Sequence, residues 1–368
     1  MNAAPDAGVA PRPQVTAAMQ SVLRAVTDLQ PYLASPLAFK DPSNAAFITS
    51  QLDSLRLVKH TFLGKRRQDT EPGEAAMASL FGDTIDRARE SFGSGRQEIA
   101  RNRLRGLTGL CFSCHSQKAA PADFTDAEKR VASLDLPVLE RAEFYAATRQ
   151  FDKALALWAT LLSADASRPL DTFEHLRALR LSLSVLVRVK EDAPAAARLI
   201  RSQLDNANIP PFTARTLQQW QTDVTAWKNE KFRSAEATPA ALFARAKQLV
   251  DSSAAAKSLS PDDSQWIRLW RASGYLHQAL AKEPDAPWRV QALYLLGLAS
   301  SSLQDPLVGA GGGLYLEACV REHPHSPLAR ACADRLFEAA WFDYTGSGGT
   351  AIPPDVSRSL EALRELAK

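Results

Sequence analysis

The sequence predicts an all-α protein of two parts, an N-terminal up-down-up-down four-helix bundle and a C-terminal α-solenoid of helix hairpins. Two observations predict it. Apolar residues recur every three or four positions in the first part and again from about residue 135 onward, which is the period of an amphipathic helix. No stretch there shows the strict apolar and polar alternation of a strand. The 368 residues are long enough for two or three separate cores.

Four helices are predicted in the first part, each with one apolar stripe. Prolines stand near the predicted starts at Pro13, Pro42 and Pro72, where a first helical turn tolerates them, and breaks follow at Ser35–Pro36 and Gly64. The stripes are Val15, Met19, Val22, Val26, Leu29 and Leu33; Ile48, Leu52, Leu55 and Phe62; Met77, Phe81, Ile85, Ala88 and Phe92; and Ala100, Leu104, Leu107, Cys111 and Cys114. Short links between helices of this length favour an antiparallel bundle.

The composition changes at Ala119-Ala120-Pro121-Ala122-Asp123, which breaks the fourth helix. We therefore expect a flexible Ala/Pro-rich lead-in over residues 1–12, the bundle over 13–118, a linker over 119–134 and the helical repeat domain over 135–368.

The sequence Cys111-Phe112-Ser113-Cys114-His115 has the spacing of a c-type haem attachment site. Cysteines three apart lie on one face of a helix, so both reach one porphyrin, and the next residue brings an imidazole to the iron. A zinc site needs about four ligands, and the other two cysteines lie some two hundred residues away. We expect one covalent haem c per chain, held by Cys111 and Cys114, with His115 as the proximal iron ligand.

The first part resembles the cytochrome c-prime family, four-helix cytochromes that carry this motif near the end of the last helix. The resemblance covers residues 13–118 and depends mainly on Cys111, Cys114 and His115. The family often has a basic residue four positions after the histidine, whereas this chain has Ala119 there, preceded by Lys118. The sequence therefore does not decide which charge lies beside His115, on the proximal side of the expected haem.

The bundle topology offers three candidates for the sixth iron ligand, Met19, His60 and Met77. Met19 is the preferred distal ligand because six-coordinate relatives carry a methionine near the start of the first helix. A methionine that only fills the core is an equal alternative for Met19. His60 lies off the stripe of its helix, and Met77 is expected to pack in the core. With none of them bound, the iron is five-coordinate and open to gases.

The second part resembles degenerate tetratricopeptide-like repeats, in which small and large residues alternate between the two helices of a hairpin. Three matches carry the resemblance: Ala142, Tyr145, Ala154 and Trp158; Ala272, Leu276, Ala279 and Pro284; and Leu296, Gly297, Gly312, Leu316, Cys319 and Pro324. Further amphipathic helices are marked by Leu217, Trp220, Val224 and Trp227, and by Leu336, Phe337, Trp341 and Phe342. Stacked hairpins imply a concave surface for a partner protein; an irregular helical domain covering the cytochrome is the alternative.

We expect an extracytoplasmic protein, because haem is attached to such cysteines outside the cytoplasm, and no binding of nucleic acid. The net charge is only +3, and no run of about eighteen apolar residues is present to span a membrane. The first residues lack the apolar core of a signal peptide, so we expect the leader of a periplasmic or otherwise extracytoplasmic protein to have been removed; a lipid anchor remains open. Cys319 and Cys332 flank a predicted helix-to-helix turn and form either a disulfide or two buried thiols.

These patterns favour a periplasmic electron carrier, rather than an enzyme, whose repeat domain docks it to a redox partner protein or assembly. A five-coordinate haem that binds nitric oxide or carbon monoxide as a sensor or scavenger is one alternative. The other is a structural adaptor in which the haem stabilises the bundle.

Overall fold

The computed structural model describes residues 13–63, 72–117, 126–163, 172–206, 209–256, 263–303 and 311–368. The regular secondary structure of these residues consists of helices and one antiparallel pair of short strands. The predicted all-α class is therefore confirmed. None of the helices in the described parts of the chain combines the length and the apolarity needed to span a membrane.

Nine α-helices lie in the described residues up to 163. They are α1 (Pro13–Ala34), α2 (Pro36–Lys40), α3 (Ala45–Leu63), α4 (Pro72–Gly93), α5 (Gln97–Arg105), α6 (Leu107–His115), α7 (Ala127–Ala132), α8 (Val138–Ala147) and α9 (Phe151–Leu162). Prolines at or next to their first residues start α1, α2 and α4 because a first turn needs no amide hydrogen from them.

The helices after residue 171 are α10 (Thr172–Ser184), α11 (Ala193–Leu204), α12 (Pro211–Lys228), α13 (Pro239–Asp251), α14 (Trp266–Lys282), α15 (Arg289–Leu303), α16 (Gly312–Glu322), α17 (Pro327–Asp343) and α18 (Pro354–Ala367). A π-helical segment, Val185–Val189, continues α10. Strands β1 (Thr345–Gly346) and β2 (Gly349–Thr350) form a small hairpin between α17 and α18.

Contacts divide the described residues into two compact units. The first takes in the described parts of Met1–Thr70, Met77–His115 and Ala119–Thr160, and the second those of Glu71–Ala76, Ser116–Lys118 and Leu161–Lys368. This division falls later in the chain than the predicted linker at 119–134. The predicted domain bounds stay predictions.

In the first unit, α3 and α4 run antiparallel. Arg56 Nε pairs with Asp86 at 2.8 Å, and Arg89 Nε pairs with Asp53 at 3.0 Å, so later positions of α3 meet earlier positions of α4. These pairs are exposed and contribute little stability. They nevertheless fix the relative direction of the two helices.

Helices α1 and α5 also belong to the first unit. α1 packs against α3, where the rings of Tyr32 and Phe47 are 5.3 Å apart. The buried Arg101 of α5 donates from Nε to the carbonyl of Leu33 at 2.8 Å, which satisfies a carbonyl in the last turn of α1. Each of α1, α3, α4 and α5 thus contacts another of the four helices.

The predicted apolar stripes face the core of the first unit. The buried members are Val22, Val26, Leu29, Leu33, Ile48, Leu52, Leu55, Met77, Ile85, Ala88, Phe92, Ala100, Leu104 and Leu107. Met19, Phe81, Cys111 and Cys114 are partly buried. The side chains of Val15 and Phe62 lie outside the described residues.

The predicted fourth helix is divided in two. α5 ends at Arg105, and Gly106 caps it. The amide of Gly106 donates to the carbonyls of Arg103 and Leu104, and α6 begins at the next residue. Glycine is a weak helix former because it loses more backbone entropy than other residues. The break separates the haem-attachment sequence from the longer stripe before it.

In the second unit, consecutive helices from α13 to α18 pack against their neighbours in sequence, as helix hairpins do. Six positions that carried the repeat resemblance here are fully buried: Ala272, Leu276, Ala279, Leu296, Leu316 and Cys319. Pro284 and Pro324, from the same pattern, are exposed. One expectation was wrong. Trp341 and Phe342, predicted to lie on the apolar face of α17, are 57% and 53% exposed.

Cys319 and Cys332 form a disulfide between α16 and α17. Their Cα atoms are 6.3 Å apart, and the turn between the helices contains His325 with a positive φ of 59°. Of the two alternatives left open by the sequence, the disulfide is the one observed. Disulfides are typical of proteins in oxidising, extracytoplasmic compartments.

Candidate functional site

Helix α6 carries the three predicted haem-binding residues. Cys111 and Cys114 lie one turn apart near its end, and His115 is its last residue. Both cysteines are partly buried, and neither belongs to a disulfide. Burial raises the pKa of the Cys111 thiol to about 11, so this group is protonated at neutral pH.

The His115 side chain is buried and makes a defined hydrogen bond. Its Nδ1 lies 2.5 Å from the carbonyl oxygen of Ala147, at the end of α8. Burial, together with the smaller effect of the Arg149 charge, lowers the pKa of His115 to about 4, although the hydrogen bond to the Ala147 carbonyl opposes both. The ring is therefore neutral at pH 7, and Nδ1 carries the hydrogen because a carbonyl only accepts.

This tautomer has a chemical consequence. In a neutral imidazole with hydrogen on Nδ1, the lone pair available for a metal is on Nε2. A hydrogen bond from the other ring nitrogen to a carbonyl is the usual way in which proteins orient a ligating histidine. The neutral His115 ring therefore has the tautomer that an iron-ligating histidine would need.

The donor set fits a covalently attached haem. Two thiols three positions apart on one helix match the two vinyl groups of a single porphyrin. The adjacent imidazole is neutral and has its tautomer fixed by Ala147. The predicted roles of Cys111, Cys114 and His115 stay predictions, and the geometry of the three residues is compatible with them.

The candidates for the sixth ligand differ in burial. Met19 lies on α1 and is partly buried, and Met77 lies on α4 and is 3% exposed. The side chain of His60 lies outside the described residues. The buried Met77 packs in the core as expected, and the assignment of Met19 as the distal ligand stays a prediction.

Sequence reasoning missed two residues of the site, Ala147 and Arg149. The first contributes only its backbone carbonyl, which no side-chain pattern reveals. The second follows the end of α8, and its effect on His115 depends on the packing of α8 against α6.

We compared the chain with known protein families, with curated proteins and with solved structures, and none of them matches it.

Proposed function

We propose that this protein is a monohaem c-type cytochrome that transfers electrons outside the cytoplasm and uses its helix hairpins to dock to a redox partner. The observation that carries the proposal is the hydrogen bond from His115 Nδ1 to the Ala147 carbonyl, next to two cysteines at haem-attachment spacing. This hydrogen bond fixes the tautomer with the lone pair on Nε2, which is the tautomer an iron ligand requires.

Each residue of the site has a defined task in this proposal. Cys111 and Cys114 hold the cofactor through their sulfur atoms, and their position on one helix fixes its orientation. His115 provides the axial nitrogen, and Ala147 keeps that ring from rotating. The haem, when bound, supplies a centre that accepts and releases one electron.

The packing of the first unit supports a bundle like that of the cytochrome c-prime family. α3 and α4 are antiparallel, α1 packs against α3, and α5 returns to the end of α1. Such bundles carry their cofactor sites on side chains of facing helices. The proposed haem unit is thus residues 13–118 of the sequence, assisted by the end of α8.

The second unit supports the docking role. Its consecutive helix pairs are compatible with a tetratricopeptide-like solenoid. Such solenoids bind partner proteins on a concave surface. The Cys319–Cys332 disulfide supports an extracytoplasmic location such as the periplasm. The proposed partner is a redox protein or assembly.

Optical spectroscopy tests the proposal. We expect protein produced with haem-maturation machinery to keep its haem after extraction with acidified organic solvent. We also expect a ferrous spectrum that carbon monoxide does not change. Colourless protein, or haem that is extracted, would reject the cytochrome. Rapid uptake of carbon monoxide would reject the carrier in favour of a gas-binding protein.

A methionine substitution tests the sixth ligand. If Met19 binds the iron, Met19→Ala removes the methionine-sulfur charge-transfer band of the ferric form and allows carbon monoxide to bind. Met77→Ala is the matched control, because it removes a buried methionine from another helix and should leave both spectra unchanged. Identical spectra for wild type and Met19→Ala would show that Met19 only packs in the core.

A further inference from the structure

The chain enters the second unit directly after the proposed iron ligand. His115 belongs to the first unit, and Ser116–Lys118 belong to the second. Gln117 lies two residues after His115, so their Cα atoms are at most about 7.6 Å apart, because consecutive Cα atoms are about 3.8 Å apart. A connection this short transmits a displacement of Gln117 to the backbone of His115.

Gln117 is buried and makes a defined hydrogen bond. It is only 4% exposed, whereas glutamine is mostly found at the surface because burial of an amide is costly unless the amide is hydrogen-bonded. Its Nε2 donates to the hydroxyl oxygen of Tyr315 on α16 at 3.1 Å, 198 positions later in the chain. This bond fixes Gln117 to a helix of the second unit.

Tyr315 is itself held in place by the core of the second unit. It is 1% exposed, and the centre of its ring lies 5.8 Å from that of His277 on α14, which is also 1% exposed. The hydroxyl oxygen accepts from Gln117, so the hydroxyl hydrogen is left to donate, and Nε2 of His277 lies 3.4 Å away. Gln117 is therefore bonded to a buried group that two helices keep in position.

We infer that Tyr315 is a positioning residue of the haem site, because it holds the backbone that follows the iron ligand. The inference rests on the proposed function, since it requires haem at α6. Ala147 fixes the tautomer of the His115 ring, whereas Tyr315 fixes the path of the chain as it leaves that residue. Contacts that hold a metal ligand without touching the metal orient that ligand. An imidazole held at both its ring and its backbone keeps one orientation toward the iron.

The test is proton NMR of the full-length ferric haem protein, in which the shifts of the haem methyl groups depend on the orientation of the axial imidazole. Tyr315→Phe keeps the ring and removes the hydroxyl. We expect the haem methyl resonances of this variant to shift or to double, because Gln117 and the backbone beside it lose their fixed position. Loss of one buried hydrogen bond should also lower the equilibrium constant for folding about tenfold.

Tyr275→Phe is the matched control, because Tyr275 is also buried in the second unit and its hydroxyl accepts from Arg271 at 3.3 Å. We expect a comparable loss of stability in this variant but wild-type haem resonances. If Tyr315 only stabilised the fold, the resonances would be unchanged in both variants. Wild-type resonances in Tyr315→Phe with haem covalently bound would therefore overturn the inference.

Gln117→Leu removes the same hydrogen bond and leaves Tyr315 intact, so the inference stays testable if Tyr315→Phe does not fold. We expect the same altered resonances in Gln117→Leu and in the double variant with Tyr315→Phe. The double variant buries neither the amide nor the hydroxyl and should recover part of the lost stability, so altered resonances there cannot come from instability. Wild-type resonances in Gln117→Leu would overturn the inference. Wild-type protein without covalent haem would instead reject the proposed function.

Discussion

At the scale of single residues, Gly297 allows α15 to approach α16. A Cβ atom added at Gly297 would lie 2.5 Å from Cγ and Cδ2 of Leu316, closer than carbon atoms pack. Both positions belong to the sequence pattern that resembled a repeat hairpin. The structure therefore gives that pattern a physical cause, because a small residue on one helix makes room for a large one on the next.

We expect Gly297→Ala to lower the free energy of unfolding by about 1–2 kcal/mol, since overpacking outweighs the better helix propensity of alanine. Gly313→Ala is the control on α16, where the new Cβ would make an ordinary contact of 3.6 Å with Leu336. That variant should be neutral or more stable. Urea unfolding measures both, and equal effects of the two substitutions would contradict the close approach.

His115 shows how far residue-scale reasoning from sequence extends. The motif predicts that His115 is an iron ligand, because Cys111, Cys114 and His115 have the spacing of a haem-attachment site. The motif did not reveal which ring nitrogen carries hydrogen. That depends on Ala147, thirty-two positions later, and on the packing of α8.

At the scale of helices, a buried ion cluster joins α12, α13 and α14. Glu230, just after α12, accepts two hydrogen bonds from Arg271 of α14, at 2.7 and 3.1 Å, and one from Arg245 of α13 at 2.5 Å. The Arg271 side chain is only 3% exposed. Its guanidinium therefore depends on Glu230 for most of its charge compensation.

We expect Glu230→Gln to lower the free energy of unfolding by about 3 kcal/mol at pH 7, because it leaves a buried guanidinium without its counter-ion. Asp251→Asn is the control, since the Lys247–Asp251 pair is exposed and should contribute less than about 0.5 kcal/mol. Chemical denaturation measures both variants. A loss at Glu230 no larger than the loss at Asp251 would show that the cluster is not stabilising.

The same cluster predicts a pH dependence. Burial alone would raise the pKa of Glu230, but hydrogen bonds and charges from Arg271 and Arg245 outweigh it and lower the pKa below its usual value of 4.5. A carboxyl with a lowered folded-state pKa stabilises the protein above its unfolded pKa, and this contribution is lost as the pH falls through the folded value. The stability difference between wild type and Glu230→Gln should therefore shrink below pH 4.5.

At the scale of the whole molecule, the haem and its protein ligands are expected to stabilise the first unit. A ligand that binds only the native state adds to its stability, and regions that contact it open less often. α6 packs against α8 within this unit. Loss of the cofactor should therefore loosen α1, α3, α4, α6 and α8.

Hydrogen exchange followed by mass spectrometry checks this prediction in the variant with both Cys111→Ala and Cys114→Ala. We expect faster exchange in the helices of the first unit and unchanged exchange in α13–α18. Wild-type protein produced without haem attachment is the control and should show the same pattern. Equal exchange with and without haem would mean that the cofactor adds no stability to the unit.

The sequence by itself determined the helical class, the apolar stripes and the haem-attachment motif, because each depends on residues close together in the chain. The period from Val22 to Leu33 sets one buried face. The spacing of Cys111, Cys114 and His115 is the one that predicts attachment of a single porphyrin. It also found the interior positions of the hairpins from their small and large residues.

The tertiary structure alone decided which distant groups meet. It paired Cys319 with Cys332, exposed Trp341 and Phe342 at the end of an amphipathic helix, and brought Ala147 to His115. These outcomes depend on how helices pack against one another. A contact made by a backbone carbonyl, such as that of Ala147, leaves no periodic pattern and needs no particular residue type, so the sequence does not reveal it.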